Sequence, residues 1–264
     1  MSDTNSPREA ALWLGGRHRG RPVRLVCLPH AGGGAAIFRS WSNLLPAEIE
    51  VCAIQPPGRE TRLREPPFTS FDALVKELTE MLQGLSDKPF AIFGHSMGGL
   101  IAFELARQLR RKQARGPSHL FISSCPPPQI PDRSPHIHAW PDEAFLAELQ
   151  NRYEPSADLF MDAELTRLCL PVLRADMAVY ESYVFVRGEP LDTPITVFSG
   201  REDRKLKPVQ LAGWRTQTKS SFTVKTFPGN HFFWHGHLGP MLKSMSRELT
   251  QISQRMARSF SSGK

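Results

Sequence analysis

Residues 90–99 read Phe90-Ala91-Ile92-Phe93-Gly94-His95-Ser96-Met97-Gly98-Gly99, an apolar run closing on a serine with glycines two positions before and two after it. Phe90–Phe93 is a continuous apolar run, the pattern of a strand covered on both faces. From Gly99 to Arg111 the pattern changes to helix: Ile101, Leu105 and Leu109 recur at four-residue spacing, with Leu100 and Phe103 beside that stripe. An ordinary strand-to-helix connection uses one glycine. The pattern G-x-S-x-G between a strand and a helix instead fits a sharp, strained turn that lifts a serine hydroxyl above the sheet, where neighbouring Cβ atoms would clash. Ser96 is therefore the expected nucleophile.

A serine hydroxyl attacks poorly at neutral pH without a base, a group that orients the base, and donors for the oxyanion it creates. On a fold of this kind the partners follow in the order serine, acid, histidine. The strand-like run Ile195–Phe198 ends in Ser199-Gly200 and is followed by Arg201-Glu202-Asp203, so Asp203 or Glu202 could supply the acid. Asp192 precedes that strand and Asp176 falls in a long insertion, so neither is well placed. The next strand, Phe222–Phe227, leads into Pro228-Gly229-Asn230-His231, which puts His231 on a loop able to reach Ser96. His95, beside the nucleophile, is expected to pack or bond locally. The oxyanion donors are expected at the Met97 N–H, directly after the nucleophile, and in the glycine-rich loop Pro29–Gly34, where Ala31 is the candidate. That loop lacks the G-K-[ST] ending of a phosphate-binding loop. The sets His231/His235/His237 and His136/His138 bring no well-placed Cys, Asp or Glu, so no metal site is expected.

The other strand candidates are Arg24–Leu28, Val51–Gln55 and His119–Ser123, with helices near Phe38–Leu45, Phe71–Leu85, Lys207–Gln217 and Leu238–Met256. Alternating strands and helices predict an α/β fold, a mostly parallel sheet with helices on both faces. The rhythm breaks after Ser123. Pro126, Pro127, Pro128, Pro131 and Pro135 leave the sheet, and helical pieces follow near Pro141–Tyr153 and Asp162–Tyr183, the second interrupted by Pro171. Pro141 suits a first helical position and Asp162 a cap. An insertion of about sixty residues is too long for an ordinary connection and reads as a helical lid.

The 264 residues fit one domain, 1–264, with the lid insertion at about 128–190. Hydrophobic residues at 40% against 22% charged are enough for a real core. The N-terminal residues show no secretory pattern, and no apolar run approaches the roughly 20 residues that span a bilayer, which predicts a cytoplasmic protein away from the membrane. Cys27, Cys52, Cys125 and Cys169 form no C-x-x-C pair and read as buried reduced thiols. The net charge of +7 favours acidic partners. No nucleic-acid motif with interleaved aromatics accompanies it. The cluster from Arg107 to Arg115 can also complement the dipole at a helix C-terminus.

Several stretches together are much more specific than the serine motif. LVCLPHAGGGAAIF, IEVCAIQPPGRETRLREPP, FAIFGHSMGGLIAFELARQLRR, LPVLRAD, PITVFSGREDRKL and FPGNHFF run in order along nearly the whole chain from Val23. In them the chain closely resembles the type II thioesterases that accompany nonribosomal peptide and polyketide synthases. The resemblance implies an α/β-hydrolase fold and a flexible helical lid. It selects Asp203 as the acid, giving Ser96, Asp203 and His231 as the triad with Met97 and Ala31 as oxyanion donors. It implies a substrate held as a thioester on the phosphopantetheine of an acyl or peptidyl carrier domain, with no cofactor of the enzyme's own. Carrier domains tend to be acidic, which gives the basic surface a use. The implied task is editing, the removal of wrong or stalled acyl groups, by an enzyme expected to be a monomer. The sequence departs from the family pattern at Ser199-Gly200, where a GG-like turn is usual, and at Asn230, where a second glycine is usual. The alternatives are a general carboxylesterase or a fatty-acyl carrier-protein thioesterase of the same fold, and, more remotely, a non-catalytic synthase-docking module.

Overall fold

Six apolar runs pair into one all-parallel sheet, in the order β2-β1-β3-β4-β5-β6, in the computed structural model of the chain, which describes residues 13–14, 20–85, 87–154 and 163–261. The strands are β1 (Val23–Leu28), β2 (Ile49–Ala53), β3 (Phe90–His95), β4 (Leu120–Ser123), β5 (Ile195–Gly200) and β6 (Phe222–Phe227). β1, β3, β4 and β5 are buried along their whole length, which explains their unbroken apolar sequences. β6 lies at the edge and carries several exposed residues.

The helices are α1 (Trp41–Leu44), α2 (Phe71–Gln83), α3 (Met97–Arg111), α4 (Asp142–Tyr153), α5 (Ala163–Glu181), α6 (Pro208–Leu211) and α7 (Trp234–Ser261). Alternate strand residues feed two cores, because successive side chains point to opposite faces of a sheet. Val26, Leu28, Phe90 and Ile92 pack with α2 and α3 on one face. Leu25, Cys27, Ala91 and Phe93 pack with Trp41 of α1 and Trp234, Met241 and Met245 of α7 on the other. Ser70 caps α2, its hydroxyl accepting the Ala73 N–H, and apolar residues recur along the buried face of that helix.

Several elements differ in detail from the sequence expectation. The helix expected at Phe38–Leu45 is a 3-10 turn at Ala35–Phe38 followed by α1, and that expected at Lys207–Gln217 is α6 followed by a 3-10 turn at Ala212–Gln217. Pro141 is the residue before α4, in extended conformation, rather than its first helical residue. The helix expected to break at Pro171 continues through it. Proline there gives up one N–H bond, and the buried side chains Val172, Leu173, Met177 and Val179 keep the helix seated. Asp162, the expected cap, lies outside the described residues. α7 is broken at His237, three residues before Pro240, whose ring crowds the preceding turn.

The chain between β4 and β5 carries α4 and α5. A small core of their own, including Phe145, Leu149, Leu173 and Met177 with Ile137, joins the two helices. The basic cluster at the end of α3 ties down the return of this insertion. Buried Arg107 pairs with Glu104 at 2.6 Å and donates to the Val186 carbonyl, while Arg110 donates to the carbonyls of Glu189 and Pro190.

Candidate active site

The order of strands reverses between β1 and β3: β2 lies on one side of β1, and β3 with all later strands on the other. Loops leaving the C-terminal ends of those two strands diverge, and the crevice between them is where open parallel sheets bind ligands. Here the two loops are the Pro29–Gly34 segment and the turn at Ser96.

Ser96 has φ 55° and ψ −119°, a positive-φ backbone conformation that costs a non-glycine residue on the order of 1–3 kcal/mol. The fold holds it there: its N–H donates to the Ser123 carbonyl at 2.8 Å, and its own carbonyl accepts the Gly99 N–H at 2.9 Å. Because the strained residue is Ser96 itself, α3 starts at Met97, two residues earlier than its apolar pattern suggested. The flanking glycines now have a physical reason. A Cβ on Gly94 would collide with the Gly98 carbonyl, and a Cβ on Gly98 would lie 2.5 Å from the Leu28 carbonyl oxygen and 2.6 Å from that of Pro29. The start of α3 is pressed against its own strand and against the end of β1. Only hydrogen fits at both points.

Across the crevice, His231 Nδ1–H donates to Asp203 Oδ2 at 2.9 Å, and both side chains are buried. In the neutral ring that bond places the proton on Nδ1, and Nε2 has no hydrogen-bond partner among the described residues. Glu202, the other candidate acid, instead accepts the Gly229 N–H. The acid loop and the histidine loop are in close contact, since a Cβ on Gly200 would collide with the carbonyls of Gly229 and Asn230. This separates the glycines that matter from those that do not. Gly200 and Gly229 (φ +109°) require glycine, whereas Ser199 and Asn230 do not take positive φ. Asn230 adds bonds of its own, accepting the Phe232 N–H and donating to the Glu154 carbonyl.

Ser96, Met97, Ala31 and His231 line one cavity of about 330 Å³, closed on the insertion side by Tyr153, Leu173, Met177 and Tyr180. Met97 is the first residue of α3, so its N–H has no intrahelical acceptor and lies at the positive end of the helix dipole. Among the described residues the Ala31 N–H also donates to no acceptor. Burial holds His30 neutral, lowering its pKa to about 4, and pushes His95 well below the usual range; their rings lie beside Phe232 and His231. His95 Nδ1 lies 2.9 Å from Ser123 Oγ, the local bonding expected of it. Burial also raises the Tyr153 hydroxyl pKa, and its ring stands 5.0 Å from that of His231. Cys27, Cys52 and Cys125 are buried, but Cys169 is half-buried and lines the cavity. Among the described residues no three His, Cys, Asp or Glu side chains gather as a metal site.

Residues 23–248 match the family model described as thioesterase domain. The chain belongs to the thioesterase domain family. It is thus an enzyme, a hydrolase of thioesters. Among its relatives, the gramicidin S biosynthesis protein GrsT of Aneurinibacillus migulanus is 44% identical, over 87% of this chain and 90% of its own length. The structure of RedJ, a thioesterase from the prodiginine pathway of Streptomyces coelicolor, superposes with a TM-score of 0.81 at 36% identity, covering 87% of this chain and 91% of RedJ. That of BorB, a type II thioesterase from the borrelidin biosynthetic cluster, gives a TM-score of 0.83 at 33% identity, covering 90% of this chain and 98% of BorB.

One feature of the thioesterase site had no role assigned from sequence. Arg59 and Asp176 form a buried ion pair, with Arg59 Nη1 2.5 Å from Asp176 Oδ2 and Nη2 2.7 Å from Oδ1, and this pair touches the Pro29–Gly34 loop. Both residues sit in stretches that carried the family resemblance, QPPGRE and LPVLRAD. The available signal was a carboxylate on the apolar face of α5, between Leu173 and Val179, because a buried charge demands a partner.

Proposed function

We propose that this protein is a type II editing thioesterase, releasing acyl groups from the phosphopantetheine of carrier domains of a nonribosomal peptide or polyketide synthase through an acyl-enzyme on Ser96. The observation that carries this reading is the pairing of a serine on a strained turn with an Asp203-bonded His231 on one apolar-walled cavity, in a chain of the thioesterase family.

His231 Nε2 takes the Ser96 proton as the hydroxyl oxygen attacks the thioester carbonyl carbon. Asp203 holds the imidazole in the required tautomer and stabilises the imidazolium that forms. Negative charge on the carbonyl oxygen is met by the N–H groups of Met97 and Ala31. The intermediate collapses with loss of the pantetheine thiol, which receives the proton from His231. Water then attacks the acyl-enzyme, with His231 again as base, and the carboxylic acid leaves. Leu173, Met177 and Tyr180 offer the acyl chain an apolar wall, and α4 and α5 act as the lid over it. A net charge of +7 suits an acidic carrier domain as the partner, presented to a cytoplasmic monomer. No helix among the described residues is long and apolar enough to cross a membrane.

The test is acyl release from an acetyl-phosphopantetheinyl carrier domain by native protein and by Ser96→Ala. Release by the native protein is expected to fall by about 10⁴-fold or more in the variant. Native protein that hydrolyses a simple ester but leaves the carrier thioester intact would refute the carrier assignment. Full activity in Ser96→Ala would refute the acyl-enzyme.

A further inference from the structure

The loop that supplies the proposed Ala31 donor is held in place by a residue of the insertion. Gly32 N–H donates to Asp176 Oδ2 at 2.7 Å. The carbonyl of the same peptide unit, that of Ala31, accepts from His30 Nδ1 at 2.9 Å. The Ala31–Gly32 peptide plane is therefore gripped at both ends. One residue on, the Gly33 N–H bonds the His30 carbonyl at 3.0 Å, and the Gly33 carbonyl accepts from Arg59 Nη1 at 3.1 Å. Every one of these bonds consumes a loop donor or acceptor other than the Ala31 N–H.

The grip comes from α5 at two points. Besides Asp176, Leu173 lies directly over Gly32, where an added Cβ would come within 2.5 Å of Leu173 Cδ2, and Gly32 has φ +80°. Leu173 and Met177 on the same helix also line the cavity. Arg59, whose guanidinium bonds both oxygens of Asp176, holds the carboxylate aimed at the loop.

We propose that Asp176 is a positioning residue for the oxyanion hole: by fixing the Ala31–Gly32 peptide it sets the backbone at Ala31, and together with the Gly33 N–H bond to the His30 carbonyl this aims the N–H of the preceding His30–Ala31 peptide at the developing oxyanion when α5 is seated. The proposal rests on the assignment of Ala31 and Met97 as donors. It makes the insertion more than a cover: the helix that walls the acyl chamber also completes the machinery beneath it. Displacing α5 would remove the acceptor of the Gly32 N–H and release the loop.

Removing Asp176 alone would strand the buried Arg59 charge, so the informative variant is Arg59→Met/Asp176→Leu, which replaces both charges by apolar groups, a change that buried pairs often tolerate. Its thermal midpoint is measured beside its kinetics on p-nitrophenyl acetate and its inhibition by a small trifluoromethyl ketone, whose hemiketal oxyanion needs the same donors. A folded double variant is expected to lose about 10²-fold in kcat with KM unchanged, and to bind the ketone correspondingly more weakly. Should it fail to fold, Asp176→Glu keeps the ion pair but pushes the loop by one methylene, and the same split is expected at about 10-fold or more. Native kcat in a folded variant overturns the proposal, as does a loss of kcat with undiminished ketone binding. Native ester turnover, measured alongside, reports on the serine chemistry separately, so either result rejects the positioning role without touching the thioesterase reading.

Discussion

Replacing Gly98 by alanine tests the reason for the second glycine of the serine motif. The new methyl carbon would lie 2.5 Å from the Leu28 carbonyl oxygen, 2.6 Å from that of Pro29 and 2.9 Å from the Leu28 carbonyl carbon, all of them backbone atoms of β1 and its loop. Contacts of a real Cβ begin at about 3.0 Å, so the first turn of α3 must retreat by at least about 0.5 Å. Neither neighbour can yield cheaply, because β1 is paired on both sides in the sheet. Overpacking of this kind costs about 1–3 kcal/mol. At roughly 2–4 °C per kcal/mol for a domain of this size, the thermal midpoint should fall by about 2–12 °C. The kinetic effect should exceed the structural one in proportion, since the retreat carries Ser96 and the Met97 N–H with it, and a displacement approaching 1 Å costs about 10²-fold in rate. The assay is steady-state hydrolysis of p-nitrophenyl acetate, with the melt followed by circular dichroism. Gly116→Ala is the control, because nothing lies within 4 Å of its added Cβ, and it should change neither quantity. Native kcat and melting in Gly98→Ala would refute the close-approach argument.

Asp203→Asn keeps the shape of the acid but no longer selects the His231 tautomer, and kcat should fall by about 10⁴-fold with the melting temperature little changed; a loss of only a few-fold would exclude Asp203 as the orienting group. Acid should weaken the fold through its neutral histidines. His119, bonded to Thr196 Oγ1, has its pKa lowered by burial from 6.5 to about 4, as does His30. Between those values the unfolded chain binds more protons than the folded one, so stability is full above about pH 6.5 and is lost as pH falls toward 4. For His119 the loss is on the order of 3 kcal/mol, and His119→Gln should flatten the slope of melting temperature against pH over that window. A melting temperature that is flat from pH 6.5 to 4 in the native protein would contradict this.

Much of the site was legible because its geometry is local. The strained serine, the glycines two residues either side and the first turn of the helix that follows lie within ten residues of chain, and backbone stereochemistry at such a turn admits few side chains. His231 was readable in the same way, as a loop residue directly after a strand, and the parallel sheet followed from apolar runs separated by helical periods. The acid was less clear. Asp203 and Glu202 are neighbours with the same charge, and residue spacing left both open until the family resemblance chose Asp203. Which carboxylate meets the imidazole depends on how the β5 and β6 loops pack, and in the fold Glu202 turns to the Gly229 N–H instead.

The basic clusters show the opposite limit. In sequence Arg107 and Arg110 read as helix-end charges or a surface for an acidic partner, yet the fold spends them on Glu104 and on carbonyls of the returning insertion. Arg59 and Asp176 are 117 positions apart, and nothing around either residue specifies the other. By itself the sequence determined the strained turn at Ser96, the order of strands and helices, and the loop that carries His231, because each is encoded by residues adjacent in the chain. Only the tertiary structure decided which acid reaches that histidine and which buried charges pair beneath the glycine loop. Those contacts come from the summed packing of the sheet, α3 and α5, and burial makes a charge find its partner wherever that packing brings one within reach.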